Sequence, residues 1–322
     1  MNIAFSPEVL SWHYINEGVK MMNARNFKEA ISYLDESLKL EPYSPHAHWN
    51  KAVCLLSLGE YEQGFAELEW RWQLFDHCWG LLDKDIERVL TLPRWQGEKK
   101  QHLLLYHEQG FGDAIMMMRF LPELKKRAEV TLLTVKPLLR LCQEFDIECI
   151  VTLPKSLKKF DCRCALFDPV SIFNYRVENI PNAPYIKVDW RRDPKKLGIV
   201  WSGNTQKIFT VESFLANLDT GGYVVTALQP GAVPPEVTVL PPGDFRDTAN
   251  VMATCGAIVC VDTSAANLAG AIGHPNTHVL QPYLPDWRWY NAKAWYPTLK
   301  HHQAQRPGHY SQVFADINRA LQ

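Results

Sequence analysis

The sequence predicts a mixed α + α/β fold, in which a short α-helical N-terminal domain precedes two α/β domains with parallel sheets. Three observations favour this fold: a repeated helical pattern near the N-terminus, alternating apolar and amphipathic stretches after Pro93, and a second such series after a Pro-rich, charged break at residues 182–196. Buried apolar runs that alternate with amphipathic helices are typical of parallel βαβ units. The predicted domains are residues 1–90, 91–192 and 193–322.

The composition is that of an ordinary globular protein, with 47% hydrophobic residues, 21% charged residues and a formal net charge of −1. This near-neutral charge disfavours a large nucleic-acid surface. The first residues lack the charged-then-apolar order of a signal peptide, and no apolar run reaches membrane-spanning length. We therefore expect a cytoplasmic protein without a membrane span. The 8 cysteines form no CxxC pair, so we expect reduced, buried thiols and no bound metal ion.

An internal repeat is visible in the N-terminal segment. Phe27 is followed 34 residues later by Tyr61, and Ala30 is followed at the same distance by Gly64. This period, an i, i+3/i+4 apolar stripe and small residues where two helices would cross resemble the tetratricopeptide repeat. Two functions are open for so short an array. It provides a groove for a partner peptide, or it is a helical platform that supports the rest of the chain.

The strands of the two Rossmann-like domains are predicted from their apolar runs. In the first domain these runs are residues 102–106, 130–134, 148–153 and 164–167, and in the second they are 197–202, 223–228, 237–240, 257–261 and 277–281. Sheets of this kind bind ligands beyond the carboxyl ends of their strands. The segments that follow the strands are therefore the candidate ligand loops.

Four polar segments follow these strands: GFGD (110–113), WSGN (201–204), LQP (228–230) and VDTSAANLAGAIGHP (261–275). In the last segment Asp262, Thr263 and Ser264 offer a capping side chain and backbone N–H groups at a helix start, an arrangement that binds anions. A turn or a helix cap accounts for each segment taken alone. Together they predict a ligand cleft between two domains, with a phosphate site on the second domain.

Several short motifs resemble one bacterial family. In chain order they are WQGE (95–98), LLLYHEQGFGD (103–113), VWSGN (200–204), LQ (228–229), DFRDTA (244–249), VDTSAANLAG (261–270), PDWRW (285–289) and WYPT (295–298). They resemble the tetratricopeptide-repeat proteins that carry a glycosyltransferase domain of the GT-B fold, related to the heptosyltransferases of glycosyltransferase family 9. The resemblance spans nearly the whole chain.

The resemblance implies transfer of a sugar from a nucleotide-sugar donor to an acceptor hydroxyl, with no metal ion and no cofactor. Asp113 matches the aspartate that acts as general base toward the acceptor; a carboxylate that complements the helix dipole is the competing interpretation. The resemblance places the acceptor-side loop at Gln109, Gly110, Phe111 and Gly112. It places the donor and its phosphates on Trp201, Ser202, Gly203, Asn204, Lys207, Gln229, Asp262, Thr263, Ser264, Ala265 and Asn267. Further cleft contacts are expected from Thr248, Asp286 and Trp287, while most aromatic residues of PDWRW and WYPT are expected to pack.

Two departures from the family pattern concern the donor phosphates. Asn267 stands where relatives usually have His, and Lys207 is the only basic residue where relatives have a basic segment containing Arg-Ser. Because charge-assisted hydrogen bonds are the strong ones, both changes weaken stabilisation of a leaving diphosphate. Three functions are therefore open: a transferase, with a protein among its candidate acceptors; a binding or scaffold protein with a degenerate site; and a transferase with a nucleic-acid acceptor, which the near-neutral charge disfavours.

Overall fold

The computed structural model describes residues 6–74, 86–99, 101–203, 209–240 and 243–322. The chain divides into two compact units. The first, called the helical unit, contains the N-terminal helices together with Asp168–Ile180 and Leu284–Asn291. The second, called the sheet unit, contains the described parts of Leu81–Phe167, Pro181–Tyr283 and Ala292–Gln322. Within the described ranges, no helix is both long and apolar enough to cross a membrane.

The helices and strands have the following bounds. The helices are α1 (Pro7–Asn23), α2 (Phe27–Leu40), α3 (Pro45–Leu58), α4 (Tyr61–Leu68), α5 (Ile86–Val89), α6 (Phe111–Met117), α7 (Leu121–Arg127), α8 (Lys136–Gln143), α9 (Asp168–Ile172), α10 (Val211–Leu215), α11 (Phe245–Met252), α12 (Ser264–Ile272), α13 (Trp287–Tyr290), α14 (Ala292–Trp295) and α15 (Ser311–Leu321). Short 3₁₀ segments cover Glu69–Gln73 and Met118–Phe120. The strands are β1 (His102–Tyr106), β2 (Glu129–Leu133), β3 (Glu148–Ile150), β4 (Cys162–Ala165), β5 (Asp193–Val200), β6 (Val224–Ala227), β7 (Thr238–Val239), β8 (Cys255–Val261), β9 (Thr277–Gln281) and β10 (Leu299–Gln303).

Sequence signals fix the ends of the helices in the helical unit. Ser6 and Ser44 cap α1 and α3: each side chain accepts a hydrogen bond from a backbone N–H, and a proline begins each helix. Phe27 and Tyr61, the aligned positions of the repeat, are the first residues of α2 and α4. The repeat thus marks equivalent helix starts.

Small residues lie where the helices cross, as the repeat predicts. A Cβ atom on Gly18 would lie 3.0 Å from Leu34 Cγ, and one on Gly64 would lie 2.8 Å from Leu56 Cγ. The buried apolar core of this unit consists of Ile15, Phe27, Ala30, Leu34, Ala47 and Cys54. A larger side chain at either glycine would push adjacent helices apart.

Two later segments, which the sequence assigns to the α/β domains, fold as part of the helical unit. In the first segment Asp168 Oδ1 accepts a hydrogen bond from Arg71 Nη2 at 2.6 Å, and both side chains are buried. In the second, the ring of Trp287 packs edge-to-face against Tyr61 and Phe65. A buried ion pair and aromatic packing therefore hold these segments in the helical unit.

The sheet unit contains two sheets in which neighbouring described strands are parallel, as predicted. The first has the order β3-β2-β1-β4 and the second has the order β10-β9-β8-β5-β6-β7. Each predicted apolar run overlaps a strand of the structure. Strand β5 starts at Asp193, inside the predicted break, and β10 was not predicted. The sequence of β10, LKHHQ, has no continuous apolar run because this edge strand is only partly buried.

Candidate functional site

The polar segments that follow β1 and β8 meet in the sheet unit. Each segment leads from a strand end into a helix, α6 after β1 and α12 after β8. A Cβ atom on Gly112 of α6 would lie 2.9 Å from Asn267 Nδ2 and 3.4 Å from Ser264 Cα of α12. Glycine is therefore required here for the two helix starts to approach so closely. The structure brings together the GFGD segment of the first sheet and the VDTS segment of the second.

Asp113 lies in the first turn of α6. Its Oδ2 accepts a hydrogen bond from the backbone N–H of Gly110 at 3.0 Å, so the carboxylate caps the helix start. This bond and the first-turn position are compatible with the competing interpretation, in which Asp113 complements the helix dipole. A role as general base would be in addition to this bond, which fixes the orientation of the carboxylate.

The turn between β1 and α6 begins with buried polar residues and a left-handed backbone. His107 and Glu108 are buried; His107 Nε2 lies 2.5 Å from Thr134 Oγ1, and burial lowers the pKa of the imidazole to about 3. Glu108 Oε1 accepts a hydrogen bond from the backbone N–H of Phe167 at 3.3 Å. Gln109 has a φ of 62°, a conformation that residues other than glycine rarely adopt. Anchored side chains thus hold a strained residue next to the GFGD segment.

Thr263 is the N-cap of α12, and it contacts a second loop. Its Oγ1 accepts a hydrogen bond from the backbone N–H of Ala265 at 3.3 Å, and Ser264 is the first residue of the helix. A Cβ atom on Gly203 would lie 2.8 Å from Thr263 Cγ2. The described part of the WSGN loop therefore packs against the start of α12, where Asp262 is half-buried.

Gln229 holds the WSGN loop in place. Its Oε1 accepts hydrogen bonds from the backbone N–H groups of Trp201 and Ser202 at 2.9 and 3.2 Å. Its Nε2 donates to Ser202 Oγ at 3.0 Å. Trp201, Ser202 and Gln229 are all among the residues predicted to contact the donor. The structure bonds them to one another, and two backbone donors and a hydroxyl satisfy the half-buried amide of Gln229.

Asn267 is 6% exposed and is hydrogen-bonded on both sides of its amide. Its Nδ2 donates to the backbone carbonyl of Thr263 at 3.3 Å, and its Oδ1 accepts from the hydroxyl of Tyr296 at 3.1 Å. A neutral amide is suited to this position because it is both donor and acceptor. In the sequence Tyr296 is noted only as part of the motif WYPT. Its contact with Asn267 is found in the structure.

Other predicted contacts lie elsewhere. Asn204 and Lys207 lie outside the described residues. Thr248 is nearly buried within α11, and its Oγ1 donates to the carbonyl of Asp244 at 3.3 Å. Asp286 caps α13 by accepting a hydrogen bond from the backbone N–H of Arg288 at 3.1 Å. Asp286 thus caps this helix and Trp287 is buried among rings of the helical unit, and contact of these two residues with a cleft stays a prediction.

Two ion pairs join helix α8, which follows a strand of the first sheet, to helix α11, which precedes a strand of the second. Arg140 Nη1 lies 2.8 Å from Asp247 Oδ1, and Arg246 Nη1 lies 2.7 Å from Glu144 Oε1. The hydrogen bond from Arg140 lowers the pKa of Asp247, whereas burial raises the pKa of Glu144 despite the neighbouring guanidinium. These pairs connect a helix that follows a strand of the first sheet to a helix that precedes a strand of the second.

Two of the described cysteines have thiols whose reactivity burial lowers. Burial raises the pKa of Cys54 and of Cys142 to about 12, so both thiols are protonated near neutral pH and are poor nucleophiles. In the ranges that the structure describes, no three His, Cys, Asp or Glu side chains group together as metal ligands would.

No family model matches the chain. A curated relative, an uncharacterized protein of Methanocaldococcus jannaschii, is 33% identical over 51 residues, which are 16% of this chain. The match spans 59% of that protein's own length.

Three solved structures with partial similarity are glycosyltransferases. The iron-containing dodecameric glycosyltransferase TibC of enterotoxigenic E. coli has a TM-score of 0.47 and 12% identity, over 70% of this chain and 78% of that one. The E. coli heptosyltransferase WaaC, solved with ADP, has a TM-score of 0.41 and 10% identity, over 67% of this chain and 99% of that one. An O-GlcNAc transferase of Thermobaculum terrenum has a TM-score of 0.34 and 11% identity, over 97% of this chain and 82% of that one.

Proposed function

We propose that the sheet unit is a glycosyltransferase that moves a sugar from a nucleotide-sugar donor to an acceptor hydroxyl. The observation that carries the proposal is the meeting of two strand-end segments, one from each parallel sheet, at Gly112 and Asn267. Parallel sheets bind ligands at the carboxyl ends of their strands, so two such ends that meet provide one side for a donor and one for an acceptor.

The donor side is the start of α12 together with the described part of the WSGN loop. A helix N-terminus favours anions because its first backbone N–H groups carry partial positive charge, and Thr263 and Ser264 lie at that end. By hypothesis the diphosphate binds there, with Asn204 and Lys207 as further contacts. The backbone N–H groups of Trp201 and Ser202 already donate hydrogen bonds to Gln229 Oε1. Trp201, Ser202 and Gln229 would therefore shape the loop rather than donate to phosphate through these groups.

The acceptor side is the GFGD segment, with Asp113 as general base. The carboxylate would take the proton of the acceptor hydroxyl while that oxygen forms a bond to the anomeric carbon. The bond from the anomeric carbon to the donor diphosphate breaks, and the diphosphate leaves with the electron pair. The rings of Phe111 and Phe245, whose centroids lie 5.2 Å apart, would supply an apolar wall on which a sugar ring stacks.

Metal independence, a cytoplasmic location and a role for the repeats complete the proposal. In the resembling family the leaving diphosphate is stabilised by helix N-termini and side chains rather than by a metal ion. The helical unit, with its 34-residue period, would present a protein acceptor or support the rest of the chain.

A second candidate is a binding protein whose site no longer transfers sugar. One observation favours it: Asn267 is neutral and both ends of its amide are already hydrogen-bonded within the protein. Its nearest polar partners, Thr263 and Tyr296, are neutral as well. A site without a charged donor near the diphosphate would bind a ligand but would stabilise the leaving group less.

Nucleotide binding is the first test of the proposal. We would record thermal unfolding of the protein with millimolar nucleoside diphosphates, including ADP, and with common nucleotide sugars. A ligand that binds the native state raises its stability, by about 2.7 kcal/mol at a hundredfold excess over Kd. A rise in unfolding temperature with the nucleotides of one nucleobase would support the donor site. Folded protein whose unfolding temperature rises with none of these ligands would contradict the donor site.

Transfer by an Asp113→Asn variant tests the general base. Asp247 offers a matched control, because its Oδ2 accepts from the backbone N–H of Asp244 at 3.1 Å, as Asp113 Oδ2 accepts from Gly110. An asparagine retains the capping oxygen at both positions. We expect Asp113→Asn to lower transfer about a hundredfold and Asp247→Asn to leave it nearly unchanged. Full transfer by Asp113→Asn would show that Asp113 only caps the helix.

A further inference from the structure

Arg119, just after α6, is a buried cation held by backbone carbonyls. Its side chain is 3% exposed. Its Nε donates to the carbonyl of Met116 at 2.8 Å, and its Nη1 donates to the carbonyls of Pro181 and Trp295 at 3.0 and 2.7 Å. Among the described residues no carboxylate pairs with it. The carbonyl of Met116 lies in the last turn of α6, where the helix dipole is negative, so that end of the helix stabilises the charge.

Three aromatic rings surround the guanidinium of Arg119. Its Cζ lies 4.6 Å from the ring centroid of Tyr296, 5.0 Å from that of Trp295 and 5.1 Å from that of Tyr185. A desolvated cation at such distances is attracted to the negative faces of the rings. Arg119 thus connects the end of α6 to the segment at residues 295–296.

Tyr296 continues this connection to α12. A Cβ atom on Gly270 would collide with the ring of Tyr296, so the ring packs directly against the backbone of α12. The hydroxyl of Tyr296 donates to Asn267 Oδ1, which leaves Asn267 Nδ2 facing Thr263 and Gly112. The hydrogen bond from Tyr296 therefore selects which end of the Asn267 amide meets the GFGD segment.

We infer that Arg119 and Tyr296 are positioning residues, which hold both ends of α6 against α12. One contact line runs from the end of α6 through Arg119, Tyr296 and Asn267 to Gly112 at its start. This line sets the GFGD segment, with Asp113, relative to the N-terminus of α12. The inference depends on the proposed function only for its kinetic consequence.

Tyr296→Phe is the sharpest test, because it keeps the ring beside Arg119 and Gly270 and removes only the hydroxyl. The matched control is Tyr223→Phe in the same unit, which removes a hydroxyl that donates to the carbonyl of Leu321 at 2.9 Å. Amide hydrogen exchange of Phe111–Met117 would be measured in both variants. We expect exchange there to be about tenfold faster in Tyr296→Phe, with other helices of the sheet unit and the Tyr223→Phe control unchanged.

Steady-state kinetics separates positioning from general support. We expect Tyr296→Phe to lower kcat about tenfold, with the KM for the donor within about twofold of wild type. Arg119→Lys, which keeps the charge but lacks the planar fork of donors, should accelerate exchange in the same helix. If that variant does not fold, Tyr296→Phe decides alone.

Unchanged exchange in Phe111–Met117 would overturn the inference, as would equal acceleration throughout the sheet unit. Local acceleration with a lower kcat and an unchanged KM would support it. A wild-type protein that binds no nucleotide and transfers no sugar would count against the proposed function. The exchange result would then decide this inference by itself.

Discussion

Two buried arginines, one in each unit, keep their charge in different ways. Arg71 in the helical unit is 1% exposed and lies 2.6 Å from the carboxylate of Asp168, from which it is separated by 97 residues in the chain. Arg119 in the sheet unit is 3% exposed and is held by carbonyls and ring faces. The first is paired with carboxylates, those of Asp168 and Glu69, whereas no carboxylate of the described residues pairs with the second. The comparison teaches that a buried guanidinium can join segments of a unit with or without a carboxylate.

Removing the carboxylate from the first pair should have the largest effect on stability. In Asp168→Asn the buried guanidinium of Arg71 would lose its near carboxylate and keep the more distant one of Glu69, at 3.5 Å, so we expect a loss of about 3–5 kcal/mol of unfolding free energy. Urea denaturation measures the loss. The double variant Arg71→Met, Asp168→Leu removes both charges and should recover most of it. A loss of less than about 1 kcal/mol in Asp168→Asn would mean that water reaches the pair.

Removing Arg119 should cost less, because the charge and its desolvation cost disappear together. Arg119→Met leaves the carbonyls of Pro181 and Trp295 without this donor, and we expect a loss of about 2–3 kcal/mol. The same denaturation experiment applies. A second substitution that neutralises a nearby carboxylate should not restore the stability of Arg119→Met, since no carboxylate pairs with Arg119 in the described residues. If such a second substitution restored the stability, Arg119 would depend on a carboxylate as Arg71 does.

Acid should destabilise the sheet unit through its buried histidines. The pKa of His107 is lowered from 6.5 to about 3 because burial disfavours the charged ring. A histidine with a depressed pKa contributes stability that is fully present above its unfolded pKa and declines as pH falls below it. For His107 alone we expect a loss of about 2 kcal/mol between pH 6.5 and about pH 5. Urea denaturation at both pH values should show a shallower loss in His107→Gln; an identical loss would contradict the prediction.

The close contact between the starts of α6 and α12 can be tested at Gly112. A Cβ atom there would lie 2.9 Å from Asn267 Nδ2, so Gly112→Ala should cost about 1–3 kcal/mol and separate α6 from α12. Gly110→Ala is the control, because its Cβ would lie 3.3 Å from Asp113 Oδ2, a longer contact than the one at Gly112, and the position is exposed. Thermal unfolding of the two variants should differ clearly. Equal stability would mean that the two helix starts do not pack as closely as described.

What the sequence predicted follows from local patterns. The apolar run HLLLY becomes a strand because a parallel strand buried on both faces needs no polar alternation, and Gly110 in GFGD precedes a helix as expected. Contacts between distant residues were missed: Arg119 meets Trp295 across 176 residues, and Gln229 bonds Trp201 across 28. Neither contact leaves a periodic signal, since each depends on where two separate segments come together. Edge strand β10 was missed because partial burial allows polar residues.

The smallest expected effect is at the exposed ion pair between α8 and α11. Arg140 is 49% exposed and lies 2.8 Å from Asp247, so solvent screens the attraction that the buried pair of Arg71 retains. Arg140→Gln should lower stability only slightly at low salt, and by less at high salt. The lowered pKa of Asp247 means that this contribution is present above the unfolded pKa and is lost as pH falls.

Denaturation at two salt concentrations measures this effect, with Arg319→Gln as the control for an exposed pair within one helix. A loss of stability in Arg140→Gln that is large and independent of salt would show that the pair is shielded from water. The pair of Arg71 and the pair of Arg140 are both shorter than 3 Å, so we expect their different solvent access, and not their length, to explain their different strength. A large loss in Arg140→Gln would contradict that explanation. Ion pairs of similar length differ in strength through solvent access, and this variant tests that cause directly.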